Sequence, residues 1–255
     1  MLVDYKVTEG DSIPGIFLKP RAVATFLLLS LGLAVKGTEI ATEPDRIVEE
    51  YCTATQGQQG ALSGSSMEVE ISASLPKMKK NGRLHGLRRI SRLGRITYEH
   101  IVFEGDGTIK NQVIARYLAA EVEAQKQQTP SVAVTPANYK FSFKAKATLE
   151  GRPTYVFNVS PRGKRVGLFK GQVWIDAATY LPVMESGYWV KSPSVFLKKV
   201  AFLRKFEIRD GISVPLQTAS TVDTRIWGPA ELEIDFSNFS VDPESSFSAG
   251  LDDGQ

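Results

Sequence analysis

Tyr139-Lys-Phe-Ser-Phe-Lys-Ala-Lys-Ala-Thr-Leu149 alternates apolar and polar side chains without a break. Side chains of a strand point to opposite faces in turn, so Tyr139, Phe141, Phe143, Ala145, Ala147 and Leu149 share one face. Lys140, Ser142, Lys144, Lys146 and Thr148 share the other. A strand with one apolar and one wet face belongs to an antiparallel sheet; parallel strands are buried on both sides.

The same period continues toward the C-terminus. Glu150-Gly-Arg-Pro153 reads as a turn, Tyr155, Phe157 and Val159 lead the next strand, and Pro161-Arg-Gly163 turns again. Phe169, Gly171, Val173 and Ile175 make an apolar phase. Val200, Phe202, Arg204, Phe206 and Ile208 form another strand, which the Arg209-Asp210-Gly211 turn ends. Two further strands run from Ile212 to about Thr224 and from Ala230 to about Val241. Toward the N-terminus, Met67, Val69, Ile71 and Ala73 alternate with Glu68, Glu70, Ser72 and Ser74. Asn81-Gly82 predicts a two-residue hairpin turn, followed by strands to about Arg92 and from about Arg95 to Phe103.

Two stretches change to a helical period. Thr42-Glu-Pro-Asp45 offers a capping hydroxyl and a proline in the first turn, predicting a short helix from Pro44 to Ala54. Ile109, Val113, Tyr117 and Ala120 share a side of a longer helix, Ile109 to Lys126, with Asp106 or Thr108 as its cap. Nine or ten strands, two helices and no βαβ alternation predict an α+β, mainly β chain built on an antiparallel meander.

At 255 residues, 42% apolar and 23% charged, the chain is long enough to bury a core without disulfides or metal. Cys52 is its one cysteine, read as a helix residue, and His85 and His100 are its two histidines. No zinc spacing, nucleophile elbow, phosphate loop or dinucleotide fingerprint is present. Asp176 and Asp210 sit where turn chemistry explains them. The expectation is no catalytic residue, no cofactor and no metal.

Lys19-Pro20-Arg21 precedes the apolar run Ala22–Val35, too short to span a bilayer comfortably but right for the apolar region of a signal peptide. Residues 1–37 are therefore expected to be a signal peptide or an N-terminal anchor. Residues 38–242 form the folded domain, and 243–255, rich in Ser, Gly and Asp, a disordered tail. Export places the protein in the periplasm, or at the inner membrane if uncleaved, and disfavours nucleic acid as a partner.

Two constellations stand out. Between Glu70 and Glu99 there is no acidic residue, while Lys77, Lys79, Lys80, Arg83, Arg88, Arg89, Arg92 and Arg95 crowd the stretch. Arg88, Arg89, Arg92 and Arg95 are candidates to meet an anionic membrane surface; equally, such cations guard a sheet edge. The second constellation lies on the apolar phases: Tyr139, Phe141, Phe143, Tyr155, Phe157, Phe169, Val173, Ile175, Phe202, Phe206 and Phe236. They form an ordinary core or, since two helices cover little of nine strands, an apolar hollow.

Gly171-Gln-Val-Trp-Ile-Asp-Ala-Ala-Thr-Tyr-Leu-Pro182, Lys199-Val-Ala-Phe202, Asp210-Gly-Ile-Ser-Val-Pro215 and Ala230-Glu-Leu-Glu-Ile234 follow one another in an order that resembles the LolA/LolB-type lipoprotein-carrier superfamily. The resemblance implies a half-open β-barrel with helices as a lid and a hollow that holds lipid or lipoprotein acyl chains. It also allows an envelope-stress sensor or scaffold that uses the same fold to contact another envelope protein. Where the family has a Trp-x-Tyr strand after an Asp-Gly turn, Asp106-Gly107 here runs into the Ile109–Lys126 helix.

Overall fold

The computed structural model describes residues 42–126, 132–192, 197–225 and 228–241. The signal or anchor segment 1–37 and the tail 243–255 lie outside the described residues.

Ten strands form one curved antiparallel sheet: β1 (Ser65–Leu75), β2 (Lys80–Ile90), β3 (Ile96–Gly105), β4 (Tyr139–Leu149), β5 (Arg152–Pro161), β6 (Phe169–Asp176), β7 (Pro182–Trp189), β8 (Leu197–Arg209), β9 (Ile212–Thr224) and β10 (Pro229–Val241). Their spatial order is β3-β2-β1-β10-β9-β8-β7-β6-β5-β4. The meander β4 to β10 closes onto the N-terminal hairpin through β1 and β10, where Val69 faces Phe236 and Ile71 faces Ile234.

That order decides where the helices go. β3 and β4 are consecutive in the chain yet lie at opposite edges, so the connection between them has to cross the width of the sheet. Its first part is α3 (Gly107–Ile109), a π-turn (Lys110–Ile114) and α4 (Ala115–Lys126). Asp106 caps it, Oδ1 accepting from Thr108 N at 2.7 Å. Ile109 and Ile114 are buried on Met67, Val69, Ile71, Leu84, Leu232 and Ile234. The π-turn departs from the regular helix expected, and it is Ile114 rather than Val113 that becomes fully buried.

α1 (Glu43–Thr55) covers the other half. Thr42 and Asp45 form a capping box, and Pro44 occupies the first turn. Ile47, Val48 and Tyr51 project from one helix face onto Tyr139, Phe157, Phe169 and Val173. The short α2 (Gln58–Ala61) follows, and the Gln58 amide ties it to β9, donating to Gly211 O and accepting from Ser213 N. Two apolar cores therefore share one sheet face, each under its own helix.

Two expectations are corrected. The hairpin turn is not at Asn81-Gly82, which lie inside β2; it is Pro76–Met78 with Lys79 in the left-handed region at φ 53°. Gly82 is needed for room instead, since a Cβ there would stand 2.8 Å from the Phe103 ring and 3.0 Å from Ile109 Cγ2. Second, β7 was not expected. Its helix-side positions include Glu185, Gly187 and Trp189, and a carboxylate and a glycine on that phase hide the alternation.

Candidate functional site

The helix-covered face is the candidate site, and the sequence-derived aromatic residues divide along it. Tyr139, Phe157, Phe169, Val173, Ile175 and Phe202 are buried together beneath α1. Their rings interlock: Phe169 lies 5.6 Å from Tyr139 and 5.1 Å from Phe202, tilted or edge-on. Phe236 is buried in the other core, beneath α3 and α4. Phe141 and Tyr155 pack at the margin of the α1 core, Phe143 is 37% exposed at the β4 edge, and Phe206 on β8 is half-buried.

A partly covered strip of this face lies between the two cores, on β8 and β9. Phe206, Ile208, Pro215, Thr218, Ser220 and Val222 are all half-buried, and the register pairs Phe206 with Pro215 and Val200 with Val222. The strip is apolar at its ends and carries a cation in its middle: Arg204 sits between Phe202 and Phe206 on the same phase. Arg204 Nη1 reaches Glu185 Oε2 on β7 at 3.6 Å. Burial raises the Glu185 carboxyl above its ordinary value, and Arg204 only partly opposes that shift.

A second ion pair pins the long lid. Arg88 Nη2 on β2 meets Glu121 Oε1 on α4 at 2.8 Å, and Nε meets the same oxygen at 3.1 Å. The Tyr98 hydroxyl donates to the other oxygen of Glu121. Burial and the neighbouring Glu121 charge push the Tyr98 phenol far above its usual value, and Tyr117 shifts the same way for the same two causes. Neither Glu121 nor Glu185 was singled out from the sequence. Arg204 had left a signal there: a charge on the apolar phase of an otherwise apolar strand.

The basic stretch does not form one surface. Arg88 is buried at 7% exposure, so it is removed from the membrane-facing set; it lies on the inward phase of β2 with Leu84 and Ile90. Arg89 points outward and pairs with Glu99 at 3.1 Å. Arg92 and Arg95 are exposed in the β2–β3 turn on either side of Leu93, which is 95% exposed. That turn is held by Gly94 N to Ser91 O, Ser91 N to Arg95 O and Arg95 N to Ser91 Oγ.

Asp176 is turn chemistry, as its position suggested. It accepts from Thr179 N at 2.8 Å and Thr179 Oγ1 at 2.7 Å, and it pairs with Arg152 at 3.3 Å. No group of three or more His, Cys, Asp or Glu side chains placed to hold a metal occurs among the described residues, and no helix among them is long and apolar enough to cross a membrane. A recess of about 630 Å³ lies at the ends of β8, β9 and β10, next to Val222, lined by Lys77, Met78, Lys198, Asp223, Thr224, Arg225, Gly228 and Pro229. It contains none of the aromatic candidates.

No family model matches the chain, and no curated protein matches it. Similar solved structures include a DUF1329 family protein from Desulfovibrio piger, 15% identical, with 81% of this chain and 95% of that chain covered and a TM-score of 0.41. A LolA superfamily protein from Nitrosomonas europaea is 12% identical over 79% of this chain and 97% of that one, TM-score 0.37. A domain from Vibrio parahaemolyticus described as an outer membrane lipoprotein-sorting protein is 15% identical over 82% and 93%, TM-score 0.39. Two of these three bear the names toward which the sequence resemblance pointed.

Proposed function

We propose that this chain is an exported, non-catalytic binder of an apolar ligand, and that the acyl chain of a lipid or lipoprotein lies on the β8–β9 strip between the two helices. One observation carries the reading. The helix-covered face holds two apolar cores under helices that share no core, and between them the inward residues Phe206, Ile208, Pro215 and Val222 stay half-buried. A chain of methylenes fits such a strip, since each CH₂ withdrawn from water contributes about 0.8 kcal/mol. The lids can part without unmaking the sheet, because strand pairing is independent of them. In this reading Phe206 and Val222 touch ligand directly. Phe141 and Phe143, at the distant β4 edge, and the deeply buried Tyr139, Phe157, Phe169, Val173 and Ile175 belong to the α1 core and its margin rather than to the strip.

Arg92 and Arg95, with the fully exposed Leu93 between them, form a tip suited to an anionic membrane surface, each cation contributing about 1 kcal/mol near anionic lipid. Native mass spectrometry of the gently purified full chain tests the main reading. Retained masses of acyl lipids support it; a bare protein that also takes up no acyl lipid on mixing contradicts it.

A second reading, a scaffold for another envelope protein, has one observation in its favour. The β3 edge exposes Ile101 at 48% and Val102 at 58%, whereas the β4 edge is lined by Lys140, Lys144 and Lys146. Ile101 and Val102 lie next to each other on that edge strand, flanked by Glu99 and Glu104, and an exposed apolar edge segment can accept an added strand.

A further inference from the structure

Glu185 and Arg204 are direct cross-strand partners on the helix-covered face. Their environments are unequal. The Glu185 side chain is 11% exposed and the Arg204 side chain 40%. Glu185 lies on the α1 side, close enough to Tyr51 and Tyr139 to raise both phenols by its charge. The Arg204 charge is felt on both sides, opposing the rise at Tyr139 beneath α1 and at Tyr117 on α4. The guanidinium carbon stands 4.7 Å over the Phe202 ring, which fixes the plane of the fork.

A strip that took only hydrocarbon would gain nothing from this arrangement. Withdrawing an ion pair from water costs more than its attraction commonly returns, and an apolar pair in its place would serve packing better. A guanidinium has five N–H donors in a planar fork matched to carboxylate or phosphate oxygens. Glu185 engages Arg204 through Nη1, at a distance longer than a close ion pair.

We propose that Arg204 receives the anionic head group of a single-chain amphiphile, a carboxylate or a phosphate monoester, whose acyl chain lies along Phe206 and Val222. The assignment rests on the acyl-chain reading of the strip and adds the head-group class to it. Phe202 holds the fork flat, Glu185 orients it from below, and the oxyanion docks from the uncovered side between the helices. Arg204 thereby sets which lipids are taken: oxyanion heads are preferred over neutral or cationic heads on the same chain.

The test uses the full chain, a bound environment-sensitive naphthylamine dye, and four competitors with one chain length: dodecanoate, dodecyl phosphate, dodecanol and dodecyltrimethylammonium. For the parent protein, at least one of the two anions displaces dye at about tenfold lower concentration than dodecanol, as a single charge-assisted contact predicts. The stronger of the two names the head group. Arg204→Gln erases that preference and leaves dodecanol where it was; Arg204→Lys keeps part of it. Glu185→Gln removes the competing carboxylate and widens the preference. Melting curves of each variant confirm that it is folded. Equal potency of anions and alcohol in the parent, or an Arg204→Gln variant that loses all four competitors alike, overturns the head-group assignment while the acyl reading stands. No displacement by any of the four overturns both.

Discussion

Arg88 on β2 and Glu121 on α4 meet at 2.8 Å on the inner face of the sheet, the guanidinium 8% and the carboxylate 19% exposed. This contact ties the edge-to-edge connection to the strands it crosses. The bond also explains why an arginine occurs on the inward phase of β2: it is there to hold a helix. Glu121→Ala strands a buried cation and should cost about 3–5 kcal/mol, whereas the double change Arg88→Met with Glu121→Leu should recover most of that. Urea unfolding of the three proteins measures it. Hydrogen exchange in α4 should quicken in the single variant and slow again in the double.

The two aromatic classes should separate under truncation. Phe157 is 1% exposed beneath α1, so Phe157→Ala should cost about 3–5 kcal/mol. Phe206 lies on the half-covered strip, and Phe206→Ala should cost about 1 kcal/mol or less, because little packing is lost. The same variant should weaken dye binding. Equal stability losses at both positions, with unchanged dye binding, would count against a ligand strip.

Glu185 gives the fold a pH dependence with a definite sign. Burial raises its carboxyl above 4.5 in the folded state, so folding favours the protonated form. The stabilisation is fully present below the unfolded value and is lost as pH rises through the folded one. Stability of the parent should therefore carry a declining component upward from about pH 4.5, a component Glu185→Gln removes. Denaturation midpoints of both proteins across that range check it.

Reversal of Arg92 and Arg95 to Glu should abolish salt-sensitive binding to vesicles containing anionic lipid, and Leu93→Ser should weaken it further at high salt, where charge is screened. The change touches only exposed turn residues, so the melting temperature should hold. Binding unaffected by the charge reversal would leave Arg92 and Arg95 as edge guards of the hairpin.

Much of this architecture is written in the period-two stretches. β1 and β10 alternate cleanly, and the structure pairs them through those apolar phases. In β4 the alternation in sequence misleads past Phe143: a bulge between Phe143 and Ala145 puts Lys146 beside Tyr155 on the helix side and turns Ala145, Ala147 and Leu149 to the other face. β7 was hidden because Glu185 and Gly187 occupy inward positions that a strand pattern expects to be apolar, which is also why the residue beneath Arg204 escaped notice. The turn at Pro76–Lys79 was masked by the Asn81-Gly82 pair, whose glycine answers to the packing of Phe103 and Ile109. The apolar face itself was legible. Which of its rings are sealed and which stay half-open was not, because that depends on where α1 and α4 lie across the sheet, and a local pattern holds no record of it. Arg88 shows the same limit: its neighbours in sequence are surface cations, and only α4 supplies the partner that draws it inside.

Photo-crosslinking of the full chain with a diazirine-bearing fatty acid, read out by peptide mass spectrometry, tests the central claim most directly. The account predicts saturable labelling concentrated on the β8–β9 strip and the facing side of α4, at Phe206, Ile208, Pro215, Val222 and Tyr117, suppressed by excess unlabelled dodecanoate. Labelling that falls instead on the recess around Lys77 and Lys198, or on the outer-face residues Leu203 and Lys205, or that fails to saturate anywhere, would contradict it.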